Sequence, residues 1–327
     1  MNLEIPHALP NRQNLPGRGL SLSGNFAPSK GGESMLLEGE DEQMVLVSLY
    51  VMVDDLVKTF SKNQWFKLKL PGPNKRGRPP ALALSEAITL GLFRYALNIK
   101  DVKHFHRHVA SHYCQYFPGL PNYQNFMSLL NRVSGYVLLL VLWICHYNKE
   151  RLRQEDLLII DTSALKVCEK GRISENKVCK EFARIGKTTQ GWFYGFKLGL
   201  VVDALGHLIS IAIRPGNTDD RKFLTLFQGI RGVGIGDAEF VSKDWAAKLF
   251  EQGFLFLTNV KKSMKRLITK AQHELLKKRQ LVEIRLAQLK HRIQQAVSLA
   301  RSPLGYFSRW VYALLAYCLF PLVEVGM

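Results

Sequence analysis

The sequence predicts a mixed α/β protein: a mixed sheet flanked by helices, preceded by an all-α region. Three observations carry this prediction. Across 44–149 apolar residues recur at helical spacing. From 156 to 260 short apolar runs alternate with amphipathic ones, in the order β, β-hairpin, α, β, α, β. A long helical stretch at 267–299 follows.

Taken in order, residues 1–43 are rich in Gly, Pro, Ser and Asn, carry three basic against six acidic residues and show no periodicity. They read as a disordered extension or a misassigned start, with Met44 as the alternative beginning. Residues 44–150 form a helical, basic region. A first helix spans 45–60, and the segment 70–80, LPGPNKRGRPP, breaks the pattern. Ser85 is expected to cap a helix running from Glu86 to Leu97. Phe117-Pro118-Gly119-Leu120-Pro121 punctuates, and 136–147 is a strongly apolar helix. Residues 151–327 form a second region. The segment 156–161, with LLIID, reads as a buried strand, and 192–202 with 207–214 form a hairpin turning at Leu205-Gly206. A helix at 219–229, a strand at 234–237, a helix at 242–251 and a strand at 254–260 complete the pattern. No internal repeat is visible.

Composition bounds the function. The chain has 327 residues, with Lys+Arg 45 against Asp+Glu 27, a formal charge of +18. A balance this basic favours a polyanionic partner, nucleic acid first. The bases cluster: eleven Lys/Arg against two acids between Lys58 and His108, and twelve against two between Lys261 and Arg301. The apolar runs 136–145 and 311–323 are shorter than the roughly 18–20 residues of a spanning helix, so no membrane role is expected. Five scattered cysteines without CxxC spacing point to a reducing compartment, and a cytoplasmic, nucleoid-associated protein is the expectation.

Two aspartates, Asp161 ending LLIID and Asp237 ending GIGD, close apolar strands. A carboxylate there is costly without compensation, and a divalent cation compensates it. Converging carboxylates suit Mg²⁺ or Mn²⁺, and a pair of such ions serves phosphodiester chemistry. Glu283 is the third candidate; on a helix it shares a face with Arg279 and Lys290, one acid between two bases. Asp203 and the tandem Asp219-Asp220 are rivals. Each lone aspartate also reads as a strand-terminal turn residue. His104, His108 and His112 have a spacing that can hold zinc on a helix, against a phosphate-facing or solvated face. Trp192, Phe193, Tyr194 and Phe196 read as strand core with one ring left to contact DNA. GVGIG at 232–236 lacks the Lys-Ser/Thr of a nucleotide loop.

The block DTSALKVCEKGRISENKVCKEFARIGKTTQGWFYGFKL from Asp161 resembles the first catalytic block of DDE transposases of bacterial insertion sequences, in particular the insertion sequence 982-type. PGNTDDRK with GDAEFVSKDWAAKLFEQG is similar to their second block, and KKRQLVEIRLAQLK with RSPLGYF and LLAYCLF to the third. GRPPALALSEAITLGLF and FPGLPNYQNF resemble the family's N-terminal part. The resemblance implies an RNase H-like core, with Asp161, Asp237 and Glu283 as a catalytic, metal-binding triad for two Mg²⁺ or Mn²⁺ ions. It implies cleavage of element ends, joining to target DNA, and a homo-oligomer in the active complex. Arg279 and Lys290 match the basic positions of the family's Arg–Glu–Lys helix signature, and Lys75, Arg76 and Arg78 would add DNA affinity. The chain departs at Gly199, where many relatives have His, at Ala238-Glu239-Phe240, where they read Lys-Gly-Tyr, and at Ile284, where they have Thr. A metal-dependent nuclease of the same fold and a non-catalytic DNA-binding protein remain the alternatives.

Overall fold

Leu157–Ile160 of the first strand and Phe193–Val202 of the long antiparallel strand beside it are buried without interruption, and so the sheet is covered from both sides there. The computed structural model describes residues 42–62, 81–168, 170–176, 178–188, 191–259, 269–277, 287, 300 and 302–320. The all-α part contributes α1 (Glu42–Lys62), α2 (Leu84–Ala96), α3 (Val102–His112) and α4 (Tyr123–Glu150). Then come β1 (Leu157–Cys168), β2 (Arg184–Thr188), β3 (Gly191–Asp203), β4 (Leu208–Pro215) and β5 (Gly232–Gly236). They are followed by α5 (Lys243–Glu251), β6 (Phe254–Thr258), α6 (Lys270–Lys277) and α7 (Pro303–Leu319).

β1, β5 and β6 are parallel neighbours, and β3 runs antiparallel to β1. The far edge of β3 is shared: β2 pairs with its first half and β4 with its second. Leaving β2 aside, the spatial order β4-β3-β1-β5-β6 is that of the expected RNase H-like mixed sheet, flanked by helices and preceded by the helical region.

Each face has its own core. Leu157, Ile159, Leu165, Leu198, Leu200, Val202, Ile235 and Leu257 pack with α1–α4 and α7 in one cluster. Leu158, Ile160, Val201, Phe254 and Phe256 meet the 3₁₀ segment Asp220–Phe227, Phe240 and Leu249 in the other. Gly234 and Gly236 of GVGIG border this second core: a Cβ on Gly234 would lie 2.5 Å from the Phe254 ring. That motif is strand β5, its small residues leaving room for the Phe227–Phe254 stack, with centroids 4.6 Å apart.

α7 is almost wholly buried and lies against α4. Each large apolar side chain so withdrawn from water stabilises by about 1.5–3 kcal/mol. Three polar groups fix its position. The Ser302 hydroxyl caps its start by accepting from the Gly305 N–H, the Tyr306 hydroxyl donates to Leu165 O (3.0 Å), and the Tyr317 hydroxyl donates to Gly206 O (2.6 Å). α4 is long and apolar enough to cross a membrane by length and composition, more so than its apolar run suggests. More than half of its apolar window is buried, with Phe126, Val137, Leu140 and Val141 in the core.

Several local expectations shift. α1 starts at Glu42, ahead of Met44, and Glu42 accepts from the Tyr113 hydroxyl (2.7 Å). α2 begins at Leu84 because the Ser85 hydroxyl donates to Asp54 instead of capping; the Glu86 carboxylate takes the Ala83 N–H at 2.6 Å. The 219–229 helix is a 3₁₀ segment capped by Asp219. β1 continues seven residues beyond Asp161, and β2 is a strand that the pattern does not announce. Of the stretch 267–299, α6 is the described helix.

Candidate functional site

Asp161 and Asp237 each lie two residues beyond the last paired residues of neighbouring strands. β1 and β5 pair Leu157 with Val233, Leu158 with Gly234 and Ile159 with Ile235. Continued two residues past that last pair, the same offset leads to Asp161 on β1 and to Asp237 just after β5, on strands that neighbour at about 4.8 Å where they pair. Asp237 keeps an extended backbone (φ −76°, ψ 179°), so the alternation continues through it. Ile159 and Ile235 face the core shared with α4 and α7, and the aspartates two residues on project to that same face. β1 changes from buried to half-buried at Asp161, and Asp237 is half-buried as well. Both thus lie just past the stretch in which β1, β5 and β6 pair in parallel, at the end where open α/β sheets place functional groups, while β1 itself runs on against β3.

Backbone amides orient both carboxylates. Thr162 N–H donates to Asp161 Oδ1 and Glu239 N–H to Asp237 Oδ1, each at 2.8 Å. On the opposite face of the sheet a second charged group lies against the same stretch. Asp220 accepts from the Thr162 hydroxyl (2.8 Å) and from Lys197 Nζ (2.8 Å). The Lys197 and Asp220 side chains are only 9% and 13% exposed, so this is a nearly buried ion pair. Glu239 completes the group: partial withdrawal of its carboxyl from water raises its pKa first, then the charges of Asp237 and Asp220. Asp219 turns outward, where the Arg221 guanidinium holds its pKa down to about 2.

Asp220 therefore links the flank of Asp161, through Thr162, to the flank of Asp237, through Glu239. Sequence patterns singled out neither Lys197 nor Thr162 and named Asp220 only as a rival. Gly199 gains a physical reason: a Cβ there would lie 2.1 Å from Phe223 Cδ1, since that fully buried ring lies on β3 at this point.

Glu283, Arg279, Lys290, Lys75, Arg76 and Arg78 lie outside the described residues. α6 ends six residues before Glu283, and its Leu275 and Leu276 pack into the core on the aspartates' face. Among the described residues no three His, Cys, Asp or Glu side chains group as a metal site. The pair Asp161 and Asp237 offers hard oxygen donors, and that chemistry fits Mg²⁺ or Mn²⁺ rather than zinc. The zinc reading of α3 finds other partners: His108 Nε2 is 3.1 Å from Glu42, His106 Nε2 2.8 Å from Pro121 O, and His112 Nδ1 3.0 Å from His108 O.

No curated protein matches the sequence. A solved structure of piggyBac transposase, a cryo-EM synaptic complex with hairpin DNA, shows similarity at 13% identity and a TM-score of 0.27. The match covers 76% of this chain and 47% of that one, so the chain spans about half the length of that protein. Residues 151–302, a little under half of the chain, match the transposase DDE domain family. The segment that builds the sheet and carries both aspartates is thus matched to a transposase DDE domain, which supports a DDE transposase.

Proposed function

We propose that the chain is a DNA transposase of the bacterial insertion-sequence type, resembling the 982-type, which cuts element ends and joins them to target DNA. The observation that supports this most is the parallel register of β1 with β5, which pairs Ile159 with Ile235 two residues before Asp161 and Asp237, within the matched segment. Asp161, Asp237 and Glu283 would hold two Mg²⁺ or Mn²⁺ ions. When bound, such ions lower the charge barrier at the scissile phosphate and favour ionised water.

The chain's own residues orient and bind. The Thr162 and Glu239 amides fix the rotamers of the two aspartates. The Lys197–Asp220 pair braces Thr162, and with it the backbone at Asp161. Arg279 and Lys290 would bind phosphate, and Lys75, Arg76 and Arg78 would add affinity for the DNA backbone. In cleavage a water oxygen bonds to phosphorus and the strand's 3′-oxygen leaves as a hydroxyl. In joining, that 3′-hydroxyl attacks a target phosphodiester and a target 3′-oxygen leaves. Bond making and breaking balance, and no covalent protein–DNA intermediate forms. Joining two ends calls for a homo-oligomer.

The test is a cleavage and strand-transfer assay on labelled DNA carrying the element's ends, with Mg²⁺ or Mn²⁺. Nicked and joined products are expected with the wild type and neither with Asp161→Asn, whose DNA affinity stays within about twofold. Cleavage that survives in Asp161→Asn overturns the assignment. Cutting without joining identifies a nuclease of this fold.

A further inference from the structure

We infer that the β2–β3 hairpin is a docking arm for an unpaired DNA base, with Trp192 as the stacking platform. The inference rests on the DNA-processing reading above and adds a contact remote from the carboxylates. Of the rings in WFYGF, Phe193, Tyr194 and Phe196 are buried at 3%, 7% and 4% exposure, whereas Trp192 keeps 54% of its surface in solvent. It stands on the hairpin directly opposite Lys187, whose ammonium lies 5.6 Å from the ring centroid. Ile185, on the same face of β2, and Phe182 just before it are half exposed and extend the apolar surface.

The surrounding charge selects the partner. Lys180, Arg184 and Lys187 are exposed along the hairpin and Glu181 is the acid among them. Protein interfaces are depleted in lysine at their centre. An aromatic ring set among exposed bases is instead the pattern that binds single-stranded nucleic acid, because every base has a face to stack and every step a phosphate to neutralise.

Placement agrees with this. Asp161 pairs with Leu200 on β3, and Trp192 lies eight residues before Leu200. At about 3.3 Å per residue the ring stands about 26 Å along the sheet from Asp161. That is about three-quarters of a turn of B-DNA. A duplex lying along this stretch would bring a frayed or extruded base to the arm within one helical turn of the cut. Packing on the other side fixes the arm. A Cβ at Gly186 would lie 2.0 Å from Gly216 O, so β2 is seated against the end of β4.

The test uses the full chain and two labelled probes, a blunt duplex and the same duplex with a short single-stranded extension. Trp192→Ala is expected to lose about tenfold in affinity for the extended probe and less than about twofold for the blunt one. Trp192→Phe, which keeps a ring, should retain most of the affinity. Lys187→Ala should lower affinity for both probes and reduce the salt slope by about one. Because Trp192 is exposed, an unchanged melting midpoint in each variant shows that the fold is intact. Equal loss on both probes, or none on either, overturns the arm while leaving the transposase reading in place. A changed sedimentation coefficient with unchanged DNA affinity overturns it in favour of a protein contact. A wild-type chain that binds neither probe overturns both readings.

Discussion

Removing the lysine of the Lys197–Asp220 pair isolates a carboxylate in the body of the protein. Lys197→Met keeps the length and apolar stem of the side chain and deletes the charge. Asp220 would then keep the Thr162 hydroxyl but lose the cation 2.8 Å from its Oδ2. An exposed pair is worth about 0–1 kcal/mol, whereas stripping one partner from a buried pair costs about 3–5 kcal/mol. With both side chains about nine-tenths buried, the lower end of that range applies, about 3 kcal/mol. Lys197→Met/Asp220→Asn removes the stranded charge while keeping an acceptor for Thr162, and should recover to within about 1 kcal/mol of the wild type. Urea unfolding of the four proteins in the double-mutant cycle gives the coupling energy, expected at about 2 kcal/mol or more. A Lys197→Met cost below about 1 kcal/mol, or a double variant whose losses simply add, would refute the reasoning.

Gly199→Ala forces its new methyl into the Phe223 ring and should cost at least about 2 kcal/mol in denaturant unfolding, partly relieved by Phe223→Leu. Tyr306→Phe deletes the donor to Leu165 O and strands a buried carbonyl on β1, for a loss of about 1 kcal/mol by the same measurement. Glu239→Gln carries a pH signature. Its carboxyl titrates higher in the fold than in the unfolded chain, so ionisation opposes folding and native stability falls as pH rises through the folded pKa. The amide should therefore stabilise the chelator-treated protein at neutral pH, and the gain should vanish below the unfolded value of 4.5 in an unfolding series across pH.

Much of the sheet was legible because its strands are apolar runs between turn residues, and Asp161 and Asp237 stood out as acids where Val or Ile is ordinary. Their alignment was not legible, since it depends on which strands become neighbours and at what offset. β2 escaped because RIGKT has one buried position of five, Gly186, and is held by its partner rather than by its own composition. Ser85 misled for a related reason: its cap pattern is local, whereas Asp54, which takes its hydroxyl, is 31 residues away. Lys197 sits within GFKLGL, and nothing in that run tells a buried lysine from one that alternates outward. Its partner comes from the 3₁₀ segment after the hairpin. The same segment brings Phe223 onto Gly199, so a glycine at this position has a cause that only the packing supplies.

The parallel pairing of β1 with β5 also governs when the two aspartates can act together. A hairpin can zip as soon as its turn forms, but a parallel neighbour waits until the intervening chain has crossed over and folded. Here that chain is the whole of β2, β3, β4 and the 3₁₀ segment. During synthesis Asp161 leaves the ribosome long before Asp237, and the two become neighbours only with sheet assembly. A truncated, nicked or half-folded molecule carries both acids and no shared site. For the transposase proposed above, DNA cutting would thereby wait until the chain's own folding is finished, with no inhibitor required.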